Sequence, residues 1–176
     1  MRPSSPDPVG DPTGYQRHIL GLLSDDDPAE VQSETPEILR SLVADAGDAL
    51  RTRPEPEEWS VLECLGHILD AEIVSSARYR WVVANDEPRL IGYDQDLWVT
   101  RLRHAEDDAE PLLTVFETLR QANLDMWARS TDEERARAGI HAERGRESYD
   151  VLFRLIAGHD RFHVAQARRA LDAVRG

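Results

Sequence analysis

The sequence predicts an all-α protein folded as a four-helix bundle, and three observations lead there. Four long segments carry apolar residues at helical spacing, hardly any stretch alternates apolar and polar residues as a half-buried strand would, and capping residues or prolines mark where the segments begin. With 176 residues the chain suits one domain with a well-buried core rather than two.

Taken in order, residues 1–14 hold four prolines and two glycines, a composition that predicts a disordered tail ahead of a single domain spanning 15–176. A short helix fits Tyr15 to Leu23, and the acidic stretch SDDDPAEVQSE reads as a linker. Thr35 as N-cap and Pro36 in the first turn then open the first long helix, which runs to about Arg53 with Ile38, Leu42, Val43, Ala46 and Leu50 as its stripe. After PEPEE, Ser60 and Glu63 form a capping box for the second long helix, reaching about Asn85 with Leu62, Leu65, Ile68, Leu69, Ile73 and Val82 inward. The segment NDEPRLIGYDQDLW begins a long crossover through His104. The third long helix follows from Ala109 to Arg129, with Pro111 in its first turn and a stripe of Leu112, Val115, Phe116, Leu119, Asn123 and Met126. Thr131 and Glu134 cap a short helix, AGIHAERGRES reads as a loop with two glycines, and the last long helix covers Tyr149 to Val174.

Composition narrows the chemistry. All 21 basic residues are arginine, which excludes a phosphate-cradling P-loop lysine, a Schiff-base enzyme and a Ser-Lys nucleophile pair. A net charge of −13 repels nucleic acid and anionic membranes, so neither is an expected partner. Cys64 is the single cysteine and precludes an intrachain disulfide. No stretch is apolar enough for a signal-peptide core or a membrane span, from which a cytoplasmic protein is expected.

The chemistry concentrates on histidine. His159 and His163 stand four residues apart in GHDRFH, on the stripe Leu152, Leu155, Ile156, His159, His163, Gln166 and Ala170 of the last helix, so both imidazoles occupy slots meant for apolar side chains. His67 shares a face of the second helix with Cys64, Ala71 and Val74, where it can meet the pair across the bundle. Each of these residues alone reads most simply as a core histidine satisfied by hydrogen bonds; the trio reads as a divalent-metal site with one open position, the arrangement of catalytic centres. Imidazoles suit zinc, nickel, copper or iron. HDRFH departs from the zincin HExxH by placing Asp160 where the general-base glutamate belongs, and no Glu-x-x-His occurs to support a di-iron bundle.

Other residues have plainer readings beside sharper ones. Cys64 is a small buried thiol or a fourth ligand. His141 is a solvated loop histidine or borders the site's mouth, and Gln166 either orients His163 or ends the core stripe. Gly66 and Gly158, each just before a histidine within a helix, permit close backbone approach. The four tryptophans, Trp59, Trp81, Trp98 and Trp127, serve as core anchors or pocket walls. His18 and His104 show no partner by spacing, and Asp160 should face away from the ligands.

Four segments together carry a resemblance: EWSVLECLGHILDAE, ARYRWVVANDEPRLIGYDQDLW, FETLRQANLDMW and GIHAERGRESYDVLFRLIAGHDRFHVAQ. Over about Thr35 to Leu171 the chain resembles the DinB superfamily in its YfiT-like branch of metal-dependent hydrolases and thiol S-transferases. The resemblance implies a four-helix bundle with a long crossover between its second and third helices, a homodimer, and a divalent metal, zinc or nickel, held by His67, His159 and His163. It implies activation of water, or of a low-molecular-weight thiol such as bacillithiol, mycothiol or glutathione, toward a small-molecule substrate; no DNA binding follows from the family name. The contrasting expectation is a metal-binding stress or interaction protein without turnover. No catalytic residue beyond the ligands is assigned by sequence.

Overall fold

A computed structural model describes residues 6–176. Seven α-helices are present among them: α1 Pro12–Leu23, α2 Pro28–Ala46, α3 Val61–Ala84, α4 Gln95–Arg101, α5 Ala109–Arg129, α6 Asp132–Ala136 and α7 Tyr149–Arg175. Three short strands, β1 Arg89–Leu90, β2 Ala138–His141 and β3 Gly145–Ser148, form a small sheet in that order, β1 parallel to β2 and β2 antiparallel to β3. The long helices α2, α3, α5 and α7 make the bundle, with α3 and α2 each packed against both α5 and α7.

Local chemistry explains most boundaries. Ser60 and Glu63 form the capping box of α3, Thr131 and Glu134 that of α6, and α5 runs over Ala109–Arg129 as its sequence indicates. The first long helix begins earlier than Thr35: Asp27 caps it, accepting from the Ala29 and Glu30 amides, and Pro28 is in its first turn. Pro36 therefore lies inside α2. A proline there cannot donate to the carbonyl four residues back, and that carbonyl, Gln32, instead accepts from Arg120 Nη1 at 3.0 Å. After Ala46 the chain tightens into a 3₁₀ turn, Gly47–Arg51.

The start of the chain also differs from expectation. Residues 1–5 of the expected tail lie outside the described residues, but α1 begins at Pro12, capped by Asp11, and packs along α7. A Cβ on Gly158 would stand 2.1 Å from the Ile19 carbonyl oxygen, so the two backbones approach to a distance only glycine allows. The expected loop over 138–148 is a β-hairpin, closed onto α7 by the Tyr149 amide donating to the Arg137 carbonyl. Its strands are too short and too glycine-rich to show alternation.

Apolar side chains fill three adjoining clusters. One joins Tyr79, Trp127, Tyr149 and Phe153; a second holds Leu39, Leu62, Leu65, Leu113 and Phe116; the third surrounds Cys64 with Trp59, Val99 and Leu171. Ile73 and Val115, expected inward, are 44% and 45% exposed, and the inner row of α5 is Leu113, Phe116, Arg120, Asn123 and Trp127. Arg120 sits in that row because its charge is met by two carboxylates. It donates to Asp160 of α7 at 2.6 Å, to Glu72 of α3 at 2.8 Å and to the Gln32 carbonyl of α2, which ties all four bundle helices to one guanidinium. None of the described helices is long and apolar enough to cross a membrane.

Candidate metal centre

The capping box aims His67 from the second turn of α3 into the bundle, where α7 presents His159 and His163 on successive turns. The structure brings all three together, with their ligand atoms within 4.8 Å of one another and every ring buried. His67 Nε2 faces His159 Nε2 at 3.0 Å and His163 Nε2 at 3.2 Å. Trp59 closes one side, its ring 21° from the plane of His163 and 5.0 Å from the centre of His67, and Phe162 meets His163 edge-on.

These nitrogens cannot satisfy one another. His163 Nδ1 donates to Gln166 Oε1 at 2.8 Å, so in the neutral ring its Nε2 carries only a lone pair. His67 Nε2 bears at most one proton and faces two nitrogens, while the Nδ1 atoms of His67 and His159 are buried without a partner. Burial holds all three rings well below the usual imidazole pKa, and each is pressed further down by a neighbouring histidine, keeping lone pairs available. A tetrahedral ion with nitrogens at about 2.0–2.1 Å sets neighbouring ligand atoms about 3.3 Å apart, close to the 3.0 and 3.2 Å that separate His67 from the other two. The three histidines therefore fit a divalent cation as neutral imidazole donors.

The remaining candidates separate cleanly. Cys64 is fully buried in the apolar cluster beside Trp59, burial pushes its thiol pKa up, and it is not among the residues grouped with the histidines. Asp160 faces Arg120 and Thr35, away from the cluster, as its helix position requires. His104 is held between Asp70 at 2.8 Å and Asp107 at 2.6 Å; its ring lies over Gly66, where a Cβ would meet it at 2.4 Å. Gly66 thus serves His104 and Gly158 serves Ile19. Trp59 and Trp127 are core anchors, whereas Trp81 is 44% exposed.

His141 is not a solvated loop residue. It is buried at the end of β2 and lines a cavity of about 80 Å³ that also touches His159. Burial, then Arg144 and Arg78, push its pKa down to about 3. Ala71, Val74, Leu152 and Ile156 form the apolar walls, Arg78 and Tyr93 line the polar end, and Tyr15 and Gln16 of α1 line it as well. Sequence reasoning missed Arg78 although the face His67, Ala71, Val74 reaches it one turn further on; an arginine reads as solvent-facing unless its burial is known.

A helical bundle with three convergent imidazoles beside a cavity defines a class of protein equipped to hold a divalent ion between helices. The model of the DinB superfamily matches residues 30–167, and the chain belongs to that superfamily. A protein of Geobacillus thermodenitrificans (strain NG80-2) named "Putative metal-dependent hydrolase" is 28% identical over 136 residues, 76% of each chain. Among solved structures, YfiT from Bacillus subtilis, titled "a probable metal-dependent hydrolase with an unusual four-helix bundle topology", matches with a TM-score of 0.78 at 19% identity, over 85% of this chain and 87% of YfiT. That likeness is one of fold.

Proposed function

We propose that this protein is a metal-dependent enzyme in which His67, His159 and His163 hold one divalent transition ion, zinc or nickel, and that it activates water, or a low-molecular-weight thiol, against a small-molecule substrate. The observation that carries this reading is the cavity at His159, next to three buried lone-pair donors and with no fourth protein ligand grouped with them among the described residues. A structural site would be closed by protein; an open side is what a reacting molecule needs. When bound, the ion supplies Lewis acidity, polarising an acceptor and making a nucleophile available at neutral pH.

The chain's own residues do the rest. Gln166 keeps the His163 lone pair directed inward, Trp59 and Phe162 exclude water from one flank, and the apolar walls of Ala71, Val74, Leu152 and Ile156 leave the cavity as the approach to His159. Cys64 takes no part, since its thiol is buried and unionised. The relatives' names favour water as the nucleophile. We further propose a cytoplasmic homodimer that binds no nucleic acid, the last from the charge of −13.

Elemental analysis of purified protein should find one divalent ion per chain, lost in both His159→Ala and His163→Ala. Unchanged metal content in both variants sinks the ligand assignment. The loaded protein is then assayed for metal-dependent hydrolysis of esters and amides and for conjugation of glutathione, bacillithiol or mycothiol to soft electrophiles. Product from either panel that vanishes in His67→Ala identifies the nucleophile. Neither activity from loaded protein replaces this reading with a metal-binding protein lacking turnover.

A further inference from the structure

At the polar end of the cavity two hydrogen-bond donors face each other with no acceptor between them. His141 Nδ1 accepts from the backbone amides of Glu143 at 3.2 Å and Arg144 at 3.4 Å. Backbone N–H groups only donate, so Nδ1 carries the lone pair and, in the neutral ring, the proton is on Nε2. That Nε2–H stands 3.4 Å from Arg78 Nη2, itself a donor. The two cannot bond to each other.

Arg78 is anomalous by itself. It is 6% exposed and has no carboxylate in contact among the described residues, and its Nε, like that of Arg120, is buried without a partner. Its Nη2 donates to the Ile91 carbonyl, which tethers the crossover but puts no carboxylate in contact with it; Glu147, held by Arg144 and Gln16, acts on the charge only from a distance. Arg120, the other deeply buried arginine, shows what this fold does with a structural guanidinium: it supplies two carboxylates. The neighbouring Arg144 is likewise paired, with Glu147 at 2.6 Å. A third unmet group, the buried hydroxyl of Tyr15, belongs to the same cavity. A buried charge with no carboxylate in contact is costly, and here the charge lines a cavity.

We propose that this end of the cavity is a carboxylate-recognition subsite, with Arg78 and the Nε2–H of His141 donating to the anionic oxygens of the substrate. A planar carboxylate matches the edge of a guanidinium, and the apolar walls between Arg78 and His159 suit a short hydrocarbon spacer. The substrate class is then a small acid whose reacting bond lies at the end remote from its carboxylate. Only the placement of that reacting bond rests on the proposed metal-dependent function; the subsite stands on Arg78 and His141.

The test uses chelator-treated, metal-free protein, so that carboxylate cannot bind an ion, and hexanoate as probe with hexanamide as its neutral counterpart. Calorimetric titration should show saturable hexanoate binding in the millimolar range or tighter and at least tenfold weaker binding of hexanamide. Arg78→Gln should weaken hexanoate at least tenfold, His141→Phe by less, and His163→Ala by less than twofold. In wild-type protein hexanoate should shift the Arg78 Nε–H resonance, a readout that holds if Arg78→Gln fails to fold. Equal binding of acid and amide, undiminished binding in folded Arg78→Gln, or no saturable binding with an unmoved Arg78 resonance each overturns the subsite. Because no metal is present, these outcomes are independent of whether the histidine cluster catalyses anything.

Discussion

One hydrogen bond, from His163 Nδ1 to Gln166 Oε1, fixes which nitrogen of that ring is free. Gln166→Ala should weaken binding of a divalent ion by about 10- to 100-fold, measured by competition with a chromogenic chelator, because the ring loses its tautomer and orientation together. Cys64→Ala should leave metal stoichiometry at its wild-type value by elemental analysis; a loss would bring the thiol back as a ligand. The histidine cluster was legible because each member stands on an apolar stripe, where a polar side chain announces itself. Arg78 and His141 were not. An arginine on a mostly polar stretch and a histidine in a glycine-rich segment look solvated, and only the folded hairpin shows both buried at one cavity.

Between elements, the decisive contacts are backbone to side chain rather than stripe to stripe. Most helix limits could be read from capping residues, as at Ser60 and Thr131, or from a first-turn proline, as at Pro111 of α5. The start of α2 could not, because Asp27-Pro28 and Thr35-Pro36 are equivalent start signals and the choice between them depends on a distant arginine that donates to the carbonyl freed by Pro36. The stripe of α5 was misaligned for a related reason: Arg120 belongs to its inner row, and hydropathy places it outside. Gly158→Ala tests the backbone-to-backbone contact between α1 and α7. Its Cβ would collide with the Ile19 carbonyl, so α1 should lift from α7, at a cost of about 1–3 kcal/mol by urea denaturation and with faster amide exchange over 12–23. An unchanged denaturation midpoint with normal exchange would show that the helices can separate freely.

For the molecule as a whole, the histidines set the response to acid. His67, His159, His163 and His141 are all held below the ordinary imidazole value of about 6.5, by burial first, so the fold contains them neutral. Their contribution to stability is complete above pH 6.5 and is lost as pH falls below it, each by up to about 1.4 kcal/mol per pH unit until its folded value is reached. For His141 that decline extends to about pH 3. His104 opposes them: its hydrogen bond to Asp70 raises its pKa, so its contribution is complete below 6.5 and lost as pH rises through the folded value. Metal-free protein should therefore lose urea stability steeply between about pH 6.5 and pH 5, with a shallower slope in His141→Phe. A flat profile there would contradict four neutral buried imidazoles. The Arg120 junction bears on how such a protein comes apart. Its partners come from α2, α3 and α7, so any partial assembly strands a charged group in an apolar interior with some of its partners missing. Intermediates with one helix detached are thereby disfavoured, and the bundle should assemble and dissolve in a single cooperative step, with the candidate metal site coming into existence only once the last of the four helices has docked.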